Sequence, residues 1–490
     1  MASPSAPPVS DPTPQLRRRI GSFQATSINM SQMVGIGPFV TIPAMVLAFG
    51  GPQAVIGWIA GAILALADGL IWAELGAALP GAGGTYVYLR EAFKRRTGRL
   101  MPFLFVWSAA IFIPLVMSTG VIGFVQYLGY LAPGMDEATG TWVGLALIAL
   151  VGVVLWRRVE ALGRLSVVIW VVMILTVLTV LAACYTHFHG SQVLTFPAGA
   201  FDLSRGGFWL SFVSGLTIGI YDYLGYNSSA YMGAEMRQPG RTIPRSVIFS
   251  VLGIMVIYLF MQVGILGVVR WQAMLHTDSV AYQSVVSLVI QRSFGPAAAI
   301  VVTVLILITA FGSILIGLLA GSRVPYDAAR DKVFFSAFAR LHRTKEFPIA
   351  GLVSMVVVTA VGFLIGRATN ITALIQLLTT VMVIVQSFGQ VVAVVVLRRR
   401  TDIKKPYKML LYPLPVIIAG AGWLAVYVFA DKTAPGLHPI ELSLCWVALG
   451  VVVFLIWAKA EKSWPFGPLP LEKGAVDEEL QLANKDDVVA

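Results

Sequence analysis

Charge is what this chain has least of. Only 12% of its 490 residues are Asp, Glu, Lys or Arg, against roughly 25% in a soluble domain, and its mean hydropathy is +0.81. That composition excludes a water-soluble module and points to an integral membrane protein. Cysteine is nearly missing as well: Cys184 and Cys445 both lie in apolar runs, so neither a disulfide framework nor a zinc site is readable. Residues 1–16 are rich in Pro and Ser and hold no apolar core, which reads as a disordered tail and not a signal peptide. Signs of catalysis are equally sparse. Gly35-x-Gly37 lacks the spacing and the strand–helix setting of a dinucleotide fold, and His187 and His189 flank an outer helix end without metal-ligand company. No ring of charges or carbonyl filter marks a channel. The sequence therefore predicts no enzyme, no cofactor and no metal site.

Long apolar runs are abundant. Runs of about 20 apolar residues fall near 22–49, 53–79, 101–131, 141–156, 165–186, 208–236, 246–269, 297–321, 347–366, 370–397, 411–430 and 439–460. Twelve spans place both tails and every even-numbered loop on one side. That side then carries 30 of the 35 Lys and Arg residues, leaving Arg205, Arg270, Arg292, Arg367 and Lys432 on the other. By the positive-inside rule the first side is cytoplasmic. The net charge of +11 thus reflects topology and anionic lipid, with no nucleic acid partner. Residues 85–97 and 323–342 read as short interfacial helices, and 278–293 as a re-entrant or surface helix. Gly57-x-x-x-Gly61, Gly215-x-x-x-Gly219, Gly317-x-x-x-Gly321 and Gly362-x-x-x-Gly366 predict close helix contacts.

Two spans are interrupted. Gly35-Ile36-Gly37-Pro38-Phe39 stands in the middle of the first, and Gly219 to Asn227, with Asp222 and three tyrosines, in the middle of the sixth. Gly costs about 1 kcal/mol and Pro about 3 kcal/mol inside a helix, and in lipid a broken helix persists only where it is buried or lines a cavity. Either break alone also suits a packing kink. Breaks at corresponding places five spans apart are the sequence pointer to a secondary-transporter site. Half-helix N-termini there favour an anionic group and unwound carbonyls a cation, which together suit a zwitterion.

These residues resemble the amino acid–polyamine–organocation superfamily, near its L-type amino acid transporter branch. Residues 35–39 are similar to the first-helix motif Gly-Ser-Gly-Ile-Phe, with Ile36 and Pro38 as departures. Ala73-Glu74-Leu75-Gly76 and the loop Pro80 to Leu89 match the end of helix two, while Trp107, Pro114 and Tyr127 sit as in helix three. Glu235, Pro239 and Arg241-Thr242-Ile243-Pro244-Arg245 resemble the signature after helix six. Phe311-Gly312-Ser313 with Arg323 and Ala328 to Asp331, and Leu397 to Arg400 with Lys405 to Lys408, extend the likeness over about residues 20–460. The resemblance implies an all-α membrane protein of twelve transmembrane helices. Its fold would be a LeuT-like 5+5 inverted repeat, discontinuous in helices 1 and 6, plus two extra helices. On that plan residues 1–20 are a cytoplasmic tail, 21–190 the first repeat, 205–400 the second, 409–461 the last two helices, and 462–490 a second disordered cytoplasmic tail.

The implied function is transport of amino acids or related amines by alternating access, as permease or exchanger. A non-transporting sensor on the same fold and a polyamine permease are the alternatives. Gly35, Ile36 and Gly37 would offer N–H groups to a substrate carboxylate, and Ile220, Tyr221 and Gly225 carbonyls or shape around its ammonium and side chain. Acids inside spans are functional candidates. Asp222 would pair with a substrate cation, take a coupling proton, or be a helix-end acid met by neighbouring N–H groups. Asp68 reads as a proton relay or as an acid bonded to Ser or Thr across a helix pair. Glu74 and Glu235 read as gate or structural ion pairs with bases such as Arg241. Thr309 and Ser313 are weak sodium candidates, since such hydroxyls usually bond back to their own helix. Helix five lacks the lysine of some proton-coupled relatives, and residues 131–141 lack the cysteine that links L-type proteins to a glycoprotein.

Overall fold

The computed structural model describes residues 20–80, 84–157, 162–204, 206–233, 236–342, 347–434 and 436–467. Among these residues every extended element is helical, and isolated β-bridges pair Ile20 with Met236 and Leu341 with Pro348. The chain opens with α1 (Ser22–Val34) and α2 (Gly37–Phe49), bent by 52° at the break between them. α3 (Val55–Ala78), the short α4 (Thr85–Phe93), α5 (Leu100–Leu131), α6 (Glu137–Arg157), α7 (Leu162–Thr186) and the one-turn α8 (Gly190–Val193) follow. α9 (Gly206–Tyr223) stops short, and one turn, α10 (Ser228–Tyr231), resumes beyond it. Next come α11 (Pro239–Val268), α12 (Val280–Gln283), α13 (Val285–Phe294), α14 (Pro296–Arg330) and α15 (Ile349–Ala368). α16 (Ile371–Met382) and α17 (Phe388–Arg399) are joined by a π-helical segment, Val383–Ser387. α18 (Leu414–Val428), α19 (Ala430–Thr433) and α20 (Pro439–Ala460) complete the chain.

Among the described residues, nine helices are long and apolar enough to cross a bilayer, and the bent α1–α2 pair makes ten. Leu100–Leu131 and Pro439–Ala460 fall within a residue of the expected runs. The expected sixth and eleventh spans are helical too, but as the interrupted α9–α10 and the 15-residue α18. Three expectations need correction. Residues 323–330 are no separate interfacial helix but the last two turns of α14, and only a 3₁₀ turn, Ser336–Ala339, follows. The outer segment 278–293 is two helices, parted at Ser284. The second break lies at residues 224–227, so Gly219 and Asp222 are both still helical.

Small residues set the packing. A Cβ on Gly61 of α3 would sit 2.8 Å from the backbone of Gly219 on α9, and one on Gly219 would sit 2.7 Å from Gly57 O. Two of the small-residue motifs therefore mesh with each other, bringing α3 and α9 into backbone contact. The other two converge on α5: Gly317 and Gly321 of α14 meet Met117 and Ile113, and Gly362 and Gly366 of α15 meet Leu115 and Ile122. α5 is thus the strut against which the second half of the chain packs.

At the end holding Ser22, polar links draw distant segments together. Arg99, 7% exposed, donates to Lys332 O at 2.8 Å beyond α14 and to Glu461 at 3.2 Å beyond α20. Its own N–H meets Phe466 O at 3.1 Å, so the chain stays packed past Ala460 as far as Gly467. Arg90 and Tyr86 of α4 both reach Asp331, at 3.0 and 2.9 Å. Arg400 contacts Glu91 and Asp402 and holds the Asp402 carboxyl down to about 2.

Candidate functional site

The first break forms because Gly35 adopts φ +35°, a left-handed conformation that costs a side-chain-bearing residue 1–2 kcal/mol or so. Pro38 then falls in the first turn of α2. There its missing N–H is one of the donors that lack an intrahelical partner anyway, and its fixed φ suits a helix start. This explains the departure from the Gly-Ser-Gly-Ile-Phe pattern: Pro38 starts the second half-helix. At the second break Gly225 has φ +118°, and a Cβ there would lie 2.8 Å from Gln32 Cβ and 3.0 Å from Met33 N. The second break therefore abuts the end of α1 through its glycine. Gly35 also faces Ser313 of α14.

The two sides of the first break differ in burial. On α1 Phe23 is 80% exposed, and Gln24 and Gln32 are exposed, whereas α2 is buried from Pro38 to Val46. Tyr127 of α5 secures the buried side by donating to Phe39 O at 2.8 Å. The α1 side of the first break is thus the less buried one.

Asp222 is 2% exposed. One carboxylate oxygen meets the hydroxyl of Thr41 on α2, and the other has no partner among the described residues. That free oxygen lies against Gly37, where a Cβ would run into it. Asp222 therefore presses on the first turns of α2, and the expected N–H partners of a helix-end acid are not the ones it uses. The next residue back, Tyr221, bonds Thr119 of α5 through its hydroxyl. The backbone of Ile220 is turned toward Gly61 of α3, away from the break. Leu224 N occupies Tyr221 O at 3.0 Å, and Ser228 N occupies Gly225 O at 3.0 Å. A carbonyl has two lone pairs, so both keep one acceptor site.

Asp68 and Glu74 bond residues other than the expected ones. Asp68 accepts from Tyr226 Oη at 2.5 Å and Trp423 Nε1 at 3.1 Å, so aromatic donors, and not Ser or Thr, join α3 to the second break and to α18. Glu74 pairs with Arg398 at the end of α17 and accepts from Met409 N at 2.7 Å; Arg241 is not its partner. Glu235 lies outside the described residues. The hydroxyls of Thr309 and Ser313 donate to Leu305 O and Ala310 O of their own helix, at 2.9 and 3.0 Å.

Sequence reasoning missed Thr41, Thr119, Trp423 and above all Tyr258 of α11, which is fully buried and touches the carbonyl ends of both α1 and α9. A phenol in the middle of an apolar span was the available signal, since a buried Tyr hydroxyl usually has a partner.

Comparison with known proteins gives the chain its relatives. A family model described as amino acid permease matches residues 20–456. A serine/threonine exchanger of Bacillus subtilis is 24% identical over 418 residues, covering 83% of this chain and 90% of the relative. The mouse Asc-type amino acid transporter 1 is 26% identical over 454 residues, covering 90% and 81%. A branched-chain amino acid permease of Lactococcus lactis is 25% identical over 452 residues, covering 88% and 93%.

Proposed function

The chain belongs to the amino acid permease family, a family of membrane transporters and not of enzymes, and we propose that it moves amino acids or related amines by alternating access as a secondary transporter. The observation that carries this reading is the pair of helix breaks, brought together where Gly225 packs against Gln32 and Met33. On this reading the chain has twelve spans in a LeuT-like 5+5 inverted repeat, residues 21–190 and 205–400, with two further helices over 409–461. Both termini are cytoplasmic on this reading, so the α1 end of the first break faces the cytoplasm.

In the proposed site, Gly35, Ile36 and Gly37 present N–H groups to the substrate carboxylate, because the first amides of α2 have no intrahelical acceptor. Tyr221 and Gly225 shape the other side, and Ile220 contributes through packing. Asp222 is assigned either the substrate ammonium or a coupling proton, since its unpartnered oxygen is a buried acceptor lying against Gly37. The same oxygen supports a second reading, a preference for cationic amines such as polyamines. Glu74 and Asp68 hold the cytoplasmic end and the second break, and Glu235 is a further candidate there. Sodium at Thr309 and Ser313 is not part of the proposal.

The test is uptake into proteoliposomes of labelled serine, leucine, glutamate, arginine and putrescine, with and without internal substrate and a pH gradient. Accumulation or exchange of an amino acid supports the proposal. Putrescine uptake alone favours the second reading, and saturable binding without flux under any condition replaces transport with sensing.

A further inference from the structure

Two acceptors converge on one hydroxyl beside the first break. Thr41 of α2, fully buried, lies 3.0 Å from Gly37 O and also bonds a carboxylate oxygen of Asp222. A hydroxyl has a single proton to donate. An ionised Asp222 accepts that proton, and Gly37 O goes without it. A protonated Asp222 donates to Thr41 instead, and Thr41 then donates to Gly37 O. The bonding pattern therefore accommodates Asp222 with its proton as well as without it.

The other carboxylate oxygen has no partner among the described residues and lies against Gly37, where a Cβ would stand 3.3 Å from the carboxyl carbon. Gly37 opens α2. Pro38 has no N–H, and Phe39 N already donates to Ile36 O at 3.1 Å. An anion at this helix start therefore depends on Gly37 and Ile36, the residues assigned to the substrate carboxylate. The start favours a negative charge, and both Asp222 and the substrate would bring one. Two carboxylates sharing such a site do not both stay ionised.

No base among the described residues relieves the crowding. Helices α1, α2, α5, α16 and α18 around α9 carry no Asp, Glu, Lys, Arg or His. On α3, Asp68 bonds Tyr226 and Trp423, and Glu74 bonds Arg398. On α19, Asp431 accepts from Ile440 N at 3.0 Å and Lys432 lies over Phe429. Arg241 and Arg245 of α11 stand about 20 Å of helix or more before Tyr258, through which that helix meets Asp222 O. The titratable neighbours are the phenols of Tyr221, Tyr223 and Tyr258.

We propose that an amino acid binds at the breaks only with a proton on Asp222, so that each zwitterion travels with one H⁺, whereas an amine lacking the carboxylate binds the ionised Asp222. This inference rests on the transport reading above and decides between the two roles given there to Asp222. The proton comes from water on the loading side and adds to the carboxylate oxygen facing Thr41. It returns to water on the far side when the amino acid leaves. One positive charge crosses per cycle, so an inside-negative potential drives amino acid uptake.

The experiment measures equilibrium binding to the purified full-length protein for two matched pairs, leucine with isoamylamine and serine with ethanolamine. None of the four changes charge between about pH 5.5 and 7.5. The ratio of amino acid affinity to amine affinity should rise about tenfold for each pH unit of acidification, because the two ligands require forms of Asp222 that differ by one proton. Salt-bridging of the ammonium to Asp222 would weaken both ligands together in acid. A ratio that ignores pH therefore overturns the inference and leaves transport standing. Amines that bind at no pH overturn it too, and amino acids that bind at no pH overturn it together with the amino acid reading. Asp222→Asn should make the ratio constant, and a slope that persists in this variant overturns the inference. Should the variant fail to fold, the ratio in the wild-type protein still decides.

Discussion

Arg398 grips Glu74 through two parallel hydrogen bonds, Nε to Oε1 at 2.5 Å and Nη2 to Oε2 at 2.9 Å. The carboxylate is almost wholly buried, with its side chain 3% exposed, while Arg398 keeps 20% of its side chain in solvent. Removing one partner of such a pair strands the other charge, whereas removing both does not. Arg398→Ala should lower stability by about 2–3 kcal/mol, read as a fall in melting temperature in detergent. The double variant with Glu74→Ala should recover much of that loss. A double variant as unstable as the sum of the two singles would mean that the two residues do not interact.

Asp222 is the acid whose removal should reach transport itself. Asp222→Asn keeps the shape and the contact with Thr41 but cannot carry the charge or the proton. Uptake should fall about tenfold or more, and any dependence on pH between about 5 and 8 should flatten. Asp402, held down to about 2 by Arg400, remains ionised throughout that window. Its folded-state value is depressed, so the stability it adds is lost only in strong acid, below the range assayed. A rate and pH profile identical to wild type would remove Asp222 from both of its assigned roles.

The two breaks should respond oppositely to equally small changes. Pro38→Ala restores an N–H where none is needed, and uptake should stay within about twofold of wild type. Gly225→Ala forces a side chain into φ +118° and into Gln32 and Met33. That combination costs roughly 1–3 kcal/mol, and substrate affinity should drop at least about fivefold. Comparable binding curves for Gly225→Ala and the wild type would contradict the close approach of the breaks.

Asp68 gives the fourth test. Both of its oxygens accept, from Tyr226 and from Trp423. Asn offers one acceptor and one donor group, so Asp68→Asn leaves one aromatic donor facing another donor. We expect a loss of about 1–3 kcal/mol in detergent melting. Trp423→Phe should destabilise by less, because Tyr226 remains bonded.

Much of the fold was legible because hydropathy needs no tertiary information. The runs at 101–131 and 439–460 mark α5 and α20 to within a residue, and Gly35 and Pro38 mark the first break. The second break was placed too early. Gly219 looked like an interruption but serves close contact with Gly57 and Gly61, and one glycine in a sequence does not distinguish the two uses. Arg323 to Arg330 looked interfacial by charge, yet the helix simply continues out of the apolar layer. Partners were the least legible: Glu74 finds Arg398 at a separation of 324 residues and Asp68 finds Trp423 at 355. Such pairs are chosen by helix packing, and local pattern carries no trace of them. The same holds for Tyr258, whose importance comes from two carbonyls more than 35 positions away on either of two other helices.

The contacts of Arg99 also set an order of events during synthesis. Its bond to Glu461 spans 362 residues, and Phe466 lies farther still. At the usual 5–20 residues per second, the ribosome needs roughly 20–70 s to deliver those partners after Arg99 has emerged. Early in that interval Arg99 lacks Lys332 O and α4 lacks Asp331, and to its end Arg99 still lacks Glu461 and Phe466. The first half of the molecule therefore inserts early but locks late, and residues 461–467 act as the clasp that closes it.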